Sequence, residues 1–357
     1  MPAPHQLLDG TLTGMRRHHG LLARVAAAAM LVCGGLASTA VLAAGGSTAA
    51  TAAPAAAKPD TGSVKQIRRG TAHDALYDVA FEGQRGVAVG AFGTVLATAD
   101  GGSTWERQAF PMSNLALMSV TMRDGKCIAV GQIGLAYTSD DCKAWKAVPT
   151  GTKSRLLAVD MNRQGLAYAI GGFGTILRST DWGKTWAAQT VDWTNITTDG
   201  AEPHLYDLHI AEDGTVTAVG EFELVLRSNG EGSAWKVLHK GERSLFGLTV
   251  TDGGKLYAVG QSGAFLMSTN DGAAWNSVAT GTGAILTGIH ASAKGEITAS
   301  GINSVVASAD GGATWTSNPS RLVRSAAYQA LASSEGSGGK RRLLAVGAGG
   351  SIIELDQ

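Results

Sequence analysis

The sequence predicts an all-β chain folded as a seven-bladed propeller in which an N-terminal strand completes the last blade. Three observations carry this reading. A phrase like "SADGGATW" occurs six times, a phrase like "AVGxxG" occurs seven times, and both recur with a period near 40 residues in which short apolar runs alternate with glycine-rich turns.

The six boxes are "TADGGSTW" at 98–105, "TSDDCKAW" at 138–145, "STDWGKTW" at 179–186, "SNGEGSAW" at 228–235, "STNDGAAW" at 268–275 and "SADGGATW" at 308–315. Their tryptophans, Trp105, Trp145, Trp186, Trp235, Trp275 and Trp315, stand 40, 41, 49, 40 and 40 residues apart. Ahead of each box lies the second phrase, from "VAVGAFG" at 87–93 to "TASGINS" at 298–304, and a seventh copy without a box, "LAVGAGG", lies at 344–350. Within one period "LYDVAF", "GVAVG", "TVLATA" and "TWERQAF" are each too short for a helix and are rich in β-branched or aromatic residues. Four strands per unit make a blade. A blade has two apolar faces, so the array must close on itself to bury them all. The seventh unit stops at "SIIELDQ" without a fourth strand, while the orphan segment "VKQIRRGTAHDALYDV" from Val64 aligns with "WKAVPTGTKSRLLAVD" from Trp145; the N-terminus therefore supplies the missing strand and removes a free sheet edge.

The box is expected to form the turn between third and fourth strands. Asp100, Asp140, Asp181 and Asp310 accept backbone N–H bonds across it, glycine supplies positive φ, and the tryptophan packs between sheets. Gly230 and Asn270 replace the carboxylate in two boxes, a drift that a turn tolerates and a catalytic or metal site does not. Cys127 and Cys142 both depart from the repeat in the same blade and at the same end of it, which allows either a disulfide or two inert buried thiols.

The N-terminus divides into an export signal over 1–43, with Arg16, Arg17 and Arg24 before the apolar run from Val25 to Ala43 and a "VLA" cleavage site, and a low-complexity tether over 44–62; the propeller occupies 63–357. Removal of the signal is favoured over its retention as a membrane anchor. A hydrophobic fraction of 44% suffices for a core, and equal numbers of acidic and basic residues, 29 each, provide no field for nucleic acid. Without residues 1–43 the net charge is −2.

Loops between blades, and the turns between second and third strands, share one face, with the boxes on the other. Function in a propeller gathers on the loop face. It carries His73, Asp74, Lys153, Arg155, His204, Glu242, Arg243 and Arg324 from the interblade loops, and Glu221, Glu223, Gln132 and Gln261 from the turns. The long period inserts about nine residues around "VDWTNITTDGAEPHLYD" at 191–207, where Trp193 is either an exposed partner anchor or a cap on the blade interface. No phosphate loop, nucleophile elbow or His/Cys metal spacing occurs, so neither a cofactor nor a metal is implied.

The boxes resemble the Asp-box or BNR repeat of sialidases and sortilin-type receptors. With "AVGxxG" ahead of each, behind a signal, the region 64–357 most closely resembles the photosystem II stability and assembly factor family and its non-photosynthetic bacterial relatives, "GTILRSTDWGKTW" at 174–186 being its most specific stretch. The resemblance implies an assembly chaperone in the periplasm or thylakoid lumen that binds a membrane-protein client, here at the inner membrane. The arginine patch of the photosynthetic members is sparse here, with Arg155, Arg243 and Arg324 near corresponding positions. The competing reading is a glycan-binding or glycoside-cleaving propeller. It lacks the sialidase Arg-Ile-Pro motif, and neither Asp74, Asp207, Glu221 nor Glu223 has a spacing that marks an acid–base pair. A non-enzymatic, client-binding propeller is the expected function, and no small-molecule ligand is singled out.

Overall fold

The alternating apolar runs form seven four-stranded antiparallel sheets arranged as a ring of blades. The computed structural model describes residues 64–111, 114–232, 234–251 and 253–356. The export signal expected over 1–43 and the tether expected over 44–62 lie outside the described residues. Blade 1 consists of Leu76–Glu82, Arg85–Gly90, Val95–Thr98 and Glu106–Arg107, and blades 2 to 6 begin at Leu117, Leu156, Leu205, Leu245 and Leu286. In each the second strand is buried on both faces, as in "YAIG" of blade 3 and "YAVG" of blade 5, because it lies mid-sheet with a neighbouring blade against either side.

Closure follows the sequence. Blade 7 has Tyr328–Glu335, Arg341–Gly347 and Ser351–Leu355 from the C-terminus, and Val64–Arg68 pairs antiparallel with the last of these, Val64 opposite Leu355 and Gln66 opposite Ile353. Polar bonds fasten blade 7 to blade 1. Arg342 forms a two-pronged pair with Glu354, donates to the Gly101 carbonyl at 2.9 Å and bonds Ser103, while the Ser334 hydroxyl reaches the same carbonyl.

The box turns are built by side chains facing inward. Asp100 accepts from the Thr98 hydroxyl at 2.8 Å, the Thr104 amide at 2.9 Å and the Thr104 hydroxyl at 2.7 Å, and Asp181 and Asp310 repeat the pattern. Asn270 keeps two of these bonds through its amide oxygen. Gly102 is required, since a Cβ there would lie 2.3 Å from Leu344 of blade 7. In blade 2 the expected carboxylate, Asp140, is corrected to Asp141: it is Asp141 that accepts from the Ser139 hydroxyl and the Lys143 and Ala144 amides, whereas Asp140 points outward to Lys184 at 3.8 Å. The cause is a turn one residue shorter. Ser139 stands six residues before its tryptophan, and Thr98 seven. Cys142 takes a left-handed position, φ 57°, that Gly101 holds in blade 1, and a disulfide joins it to Cys127 on the second strand.

Candidate functional site

Hydrogen bonds define which segments share a face. Turns between second and third strands close onto interblade loops, as in Ala91 N to the Ala75 carbonyl, Gly172 N to Arg155, Glu221 N to His204 and Ala348 N to Ala327. The next residues of these turns bond the following loop, Gly93 N to Leu115 and Gly174 N to Pro203. Boxes close onto the opposite hairpins, Gly101 N to Gln84 and Gly311 N to Gly295. The loop face and the box face are thus separate ends of the ring.

Most polar candidates on the loop face are spent on holding it together. Gln132 and Glu221 occupy the same turn position and reach back to the amides of Ala116 and His204, each at 2.8 Å. Gln261 makes the weaker equivalent at 3.4 Å to Ser244. Glu221 also lies 3.2 Å from Nδ1 of His204; burial alone would raise its carboxyl, but these bonds from His204 outweigh it and hold the group below the ordinary range. Glu223 is only 7% exposed and pairs with Arg243. Asp74 accepts from both the amide and the hydroxyl of Thr71.

Asp207, the last of the four carboxylates weighed for catalysis, is built into the joints between blades. Asp207, in the first strand of blade 4, accepts from its neighbour Leu208 N and, at 2.7 Å, from Leu248 N of blade 5; Asp78 does the same toward Ser119 and Val120 of blade 2, and Asp160 toward Ile210 of blade 4. These are stitches between blades. Burial, reinforced by the charges of Asp78 and Asp160, pushes Asp207 up to about 8, and burial with the charge of Asp160 pushes Asp78 up to about 6. Among the described residues no group of His, Cys, Asp or Glu is placed to hold a metal ion.

Trp193 does not serve as an exposed anchor. It is 7% exposed and packs with Tyr168, Ile170 and Leu205 between blades 3 and 4, capped by an Asp192 bond to Thr194 N. It fits because Gly174 leaves space, a Cβ there falling 2.5 Å from the indole nitrogen. The physical reason is area: an indole in a nine-residue insert is the largest apolar group available to seat that insert. Lys153 and Arg324 are exposed on their loops, Arg324 at the end of a one-turn helix, Arg321–Arg324; Arg155 is half-buried.

The apolar part of this face was missed by a search for polar chemistry. Phe92, Ile133, Phe173 and Phe222 are 57, 61, 66 and 41% exposed, and they occupy the same turn position in blades 1, 2, 3 and 4. All have positive φ, from 49° to 62°. The signal was present as "GAFGT", "GQIGL", "GGFGT" and "GEFEL", a bulky residue at a fixed place where the later blades have Ser262, Asn303 and Gly349.

The family model described as photosynthesis system II assembly factor YCF48 matches residues 57–339. Among solved structures, "YCF48 bound to D1 peptide" is similar with a TM-score of 0.66 at 19% identity, over 84% of this chain and 98% of that one. YCF48 from Cyanidioschyzon merolae gives 0.64 at 21% identity, over 82 and 98%. A GH74 xyloglucanase from Xanthomonas campestris shares the propeller architecture, TM-score 0.63 at 12% identity, over 81% of this chain and 53% of the enzyme. Comparison with curated proteins gave no match.

Proposed function

The chain belongs to the photosynthesis system II assembly factor family, and from this we propose that it is an exported, non-enzymatic propeller whose loop face binds a segment of a membrane-protein client and helps that client assemble. The observation that carries the reading is the family match across nearly the whole propeller, together with a similar propeller solved with a D1 peptide bound. Binding rather than hydrolysis is further supported by the fate of the face's carboxylates. Glu221, Glu223, Asp74 and Asp207 are each committed to neighbours that leave no opposed acid and base.

Export is supported by the charged and apolar pattern over 1–43 and by the Cys127–Cys142 disulfide, which suits an oxidising compartment. Cleavage after Ala43 predicts that protein recovered by osmotic shock begins at Ala44. The client reading is tested by cross-linking tagged protein in the envelope fraction and identifying its partners by mass spectrometry, beside a K153E variant altered in the exposed loop between blades 2 and 3. One membrane protein, recovered with wild type and reduced with the variant, is expected. Recovery of nothing above background overturns the reading.

A further inference from the structure

Two structurally independent positions in each blade face the loop side, and both are bulky and apolar through blades 1 to 4 and polar or small in blades 6 and 7. The first is the turn tip already described. The second is a bulge: in all seven blades the pairing of first and second strands shifts register at the second residue of the first strand, as between Leu76 and Asp78, Leu205 and Asp207, or Tyr328 and Ala330. A bulge re-aims its side chain. On the innermost strand, next to the loop end, it places that side chain at the mouth of the central channel. The bulge residues of blades 1 to 5 are Tyr77, Met118, Leu157, Tyr206 and Phe246, all half-buried, with Tyr206 and Phe246 in ring contact at 4.7 Å. Those of blades 6 and 7 are Thr287 and Gln329.

The tips change one blade earlier. Phenylalanine and isoleucine stand in blades 1 to 4, and Ser262, Asn303 and Gly349 stand in blades 5 to 7 on the same left-handed backbone. The fold does not require the bulky choices, since Ser262 and Gly349 close turns of the same length, and blade 6 closes a turn one residue shorter on Asn303. A Phe or a β-branched Ile at positive φ, exposed to water, is a conformation that persists at sites of interaction. His204 bridges the two sets in blade 4, its ring 5.0 Å from Phe173 and stacked on Tyr206.

Charge selects the occupant. The carboxylates flanking Phe222 are turned inward, Glu221 onto the His204 amide and ring and Glu223 onto Arg243, and so are not offered beside the tips. The neighbouring insert carries Asp192, Asp199 and Glu202, which opposes an anionic bilayer surface. A bilayer would also meet only the projecting tips and leave the recessed channel mouth unused. We propose that blades 1 to 4 form the docking surface, and that its occupant is an extended, uncharged polypeptide segment whose bulky apolar side chains lie between the tips with one entering the channel mouth. This rests on the client-binding reading and specifies the surface and the chemistry of the segment.

The test is direct binding, measured by fluorescence anisotropy with a labelled twelve-residue peptide alternating Leu or Phe with Ser or Gly. A second peptide replaces every Leu and Phe by Ser, and vesicles of phosphatidylethanolamine and phosphatidylglycerol provide the lipid arm. Saturable binding of the first peptide alone is expected, weakened at least tenfold by the combined F92N, I133N, F173N and F222N variant. Because asparagine suits the left-handed turn, this variant should melt no lower than wild type, and the F92N/I133N pair provides a milder version. Equal binding by the variants, no saturable binding, or tip-dependent recruitment to vesicles overturns the proposal. An envelope client captured equally by wild type and tip variant would defeat this surface while leaving client binding standing; the absence of any client would defeat the function and leave the peptide result to decide the surface.

Discussion

Blades 1 to 6 each have two left-handed turns at opposite ends, and the chain uses them in opposite ways. In the box turn, side chains face inward: the Ser or Thr hydroxyl and the Asp carboxylate hold the backbone, and the tryptophan fills the space behind it. In the turn between second and third strands the backbone closes on the interblade loops by itself, and the residue at its apex faces out. The two turns therefore drift differently. The box changes from Asp to Asn while keeping two of its three bonds, whereas the apex changes from Phe to Ser, Asn and Gly with no side-chain bond to retain. Bulk at the apex has to be explained by something outside the fold.

The comparison breaks most readily at a box tryptophan. Trp145 is buried and packs on Phe110 and Tyr137. Its replacement by alanine should cost about 3–5 kcal/mol in urea unfolding. Binding by the folded fraction should stay as it was. A loss below about 1 kcal/mol would show that the inward turn is not a packing device.

The disulfide comes next. Cys127 and Cys142 enclose a 15-residue separation, so removing the bond as C127S/C142S should cost about 3 kcal/mol. The left-handed backbone at position 142 makes a sharper comparison available. C127S/C142G should recover about 1 kcal/mol of that loss, because glycine adopts positive φ without a Cβ penalty. Equal stability of the two variants would mean that the box geometry relaxes once the bond is gone.

Carboxylates in the box turns and in the stitches between blades predict opposite pH responses. Hydrogen bonds from Ala144 and Lys143 N hold Asp141 down at about 2, so its contribution is present above the ordinary carboxylate range and is lost as pH falls from about 4 toward 2. Asp207 is raised by burial to about 8, so the folded state holds a proton that the unfolded state has lost. Stability then declines as pH rises from about 4 through 8. D207N should flatten that decline in melting temperature while leaving the acid limb in place, and D141N should weaken the acid limb alone. An unchanged alkaline slope in D207N would remove Asp207 as its cause.

The fold was legible because repetition is a property of the chain itself: the same two phrases at one period define blades, and the unmatched strands at the two ends define closure. The box in blade 2 was misread by one position because alignment on Trp145 conceals a deletion that only the bond between Ser139 and Asp141 reveals. At the site, charged residues were visible but their commitments were not. That Glu223 faces Arg243, or that Glu221 folds back on His204, depends on turns that bring residues 17 or 20 apart into contact. Trp193 was ambiguous since composition cannot tell an exposed indole from one seated over Gly174. The apolar apexes escaped for the opposite reason. A Phe between glycines reads as core, and only its positive φ turns it outward.

The smallest expected effect is the most discriminating one. If the apex residues are retained for a surface and not for the fold, then replacing them with asparagine, which tolerates the left-handed region, should relieve backbone strain. Ile133, β-branched at φ 49° and 61% exposed, should gain most as I133N, about 0.5–1 kcal/mol, with F173N somewhat less because its ring rests on His204. S262N, made at the same turn in blade 5, should change stability by no more than about 0.5 kcal/mol and serves as the reference. Gains at blades 2 and 3 beside neutrality at blade 5 would locate the strain in the side chain, where only an interaction with another molecule could retain it. A loss above about 1 kcal/mol at Ile133 would instead mean that the apex packs for the fold after all, and that the two turns of each blade differ in degree and not in kind.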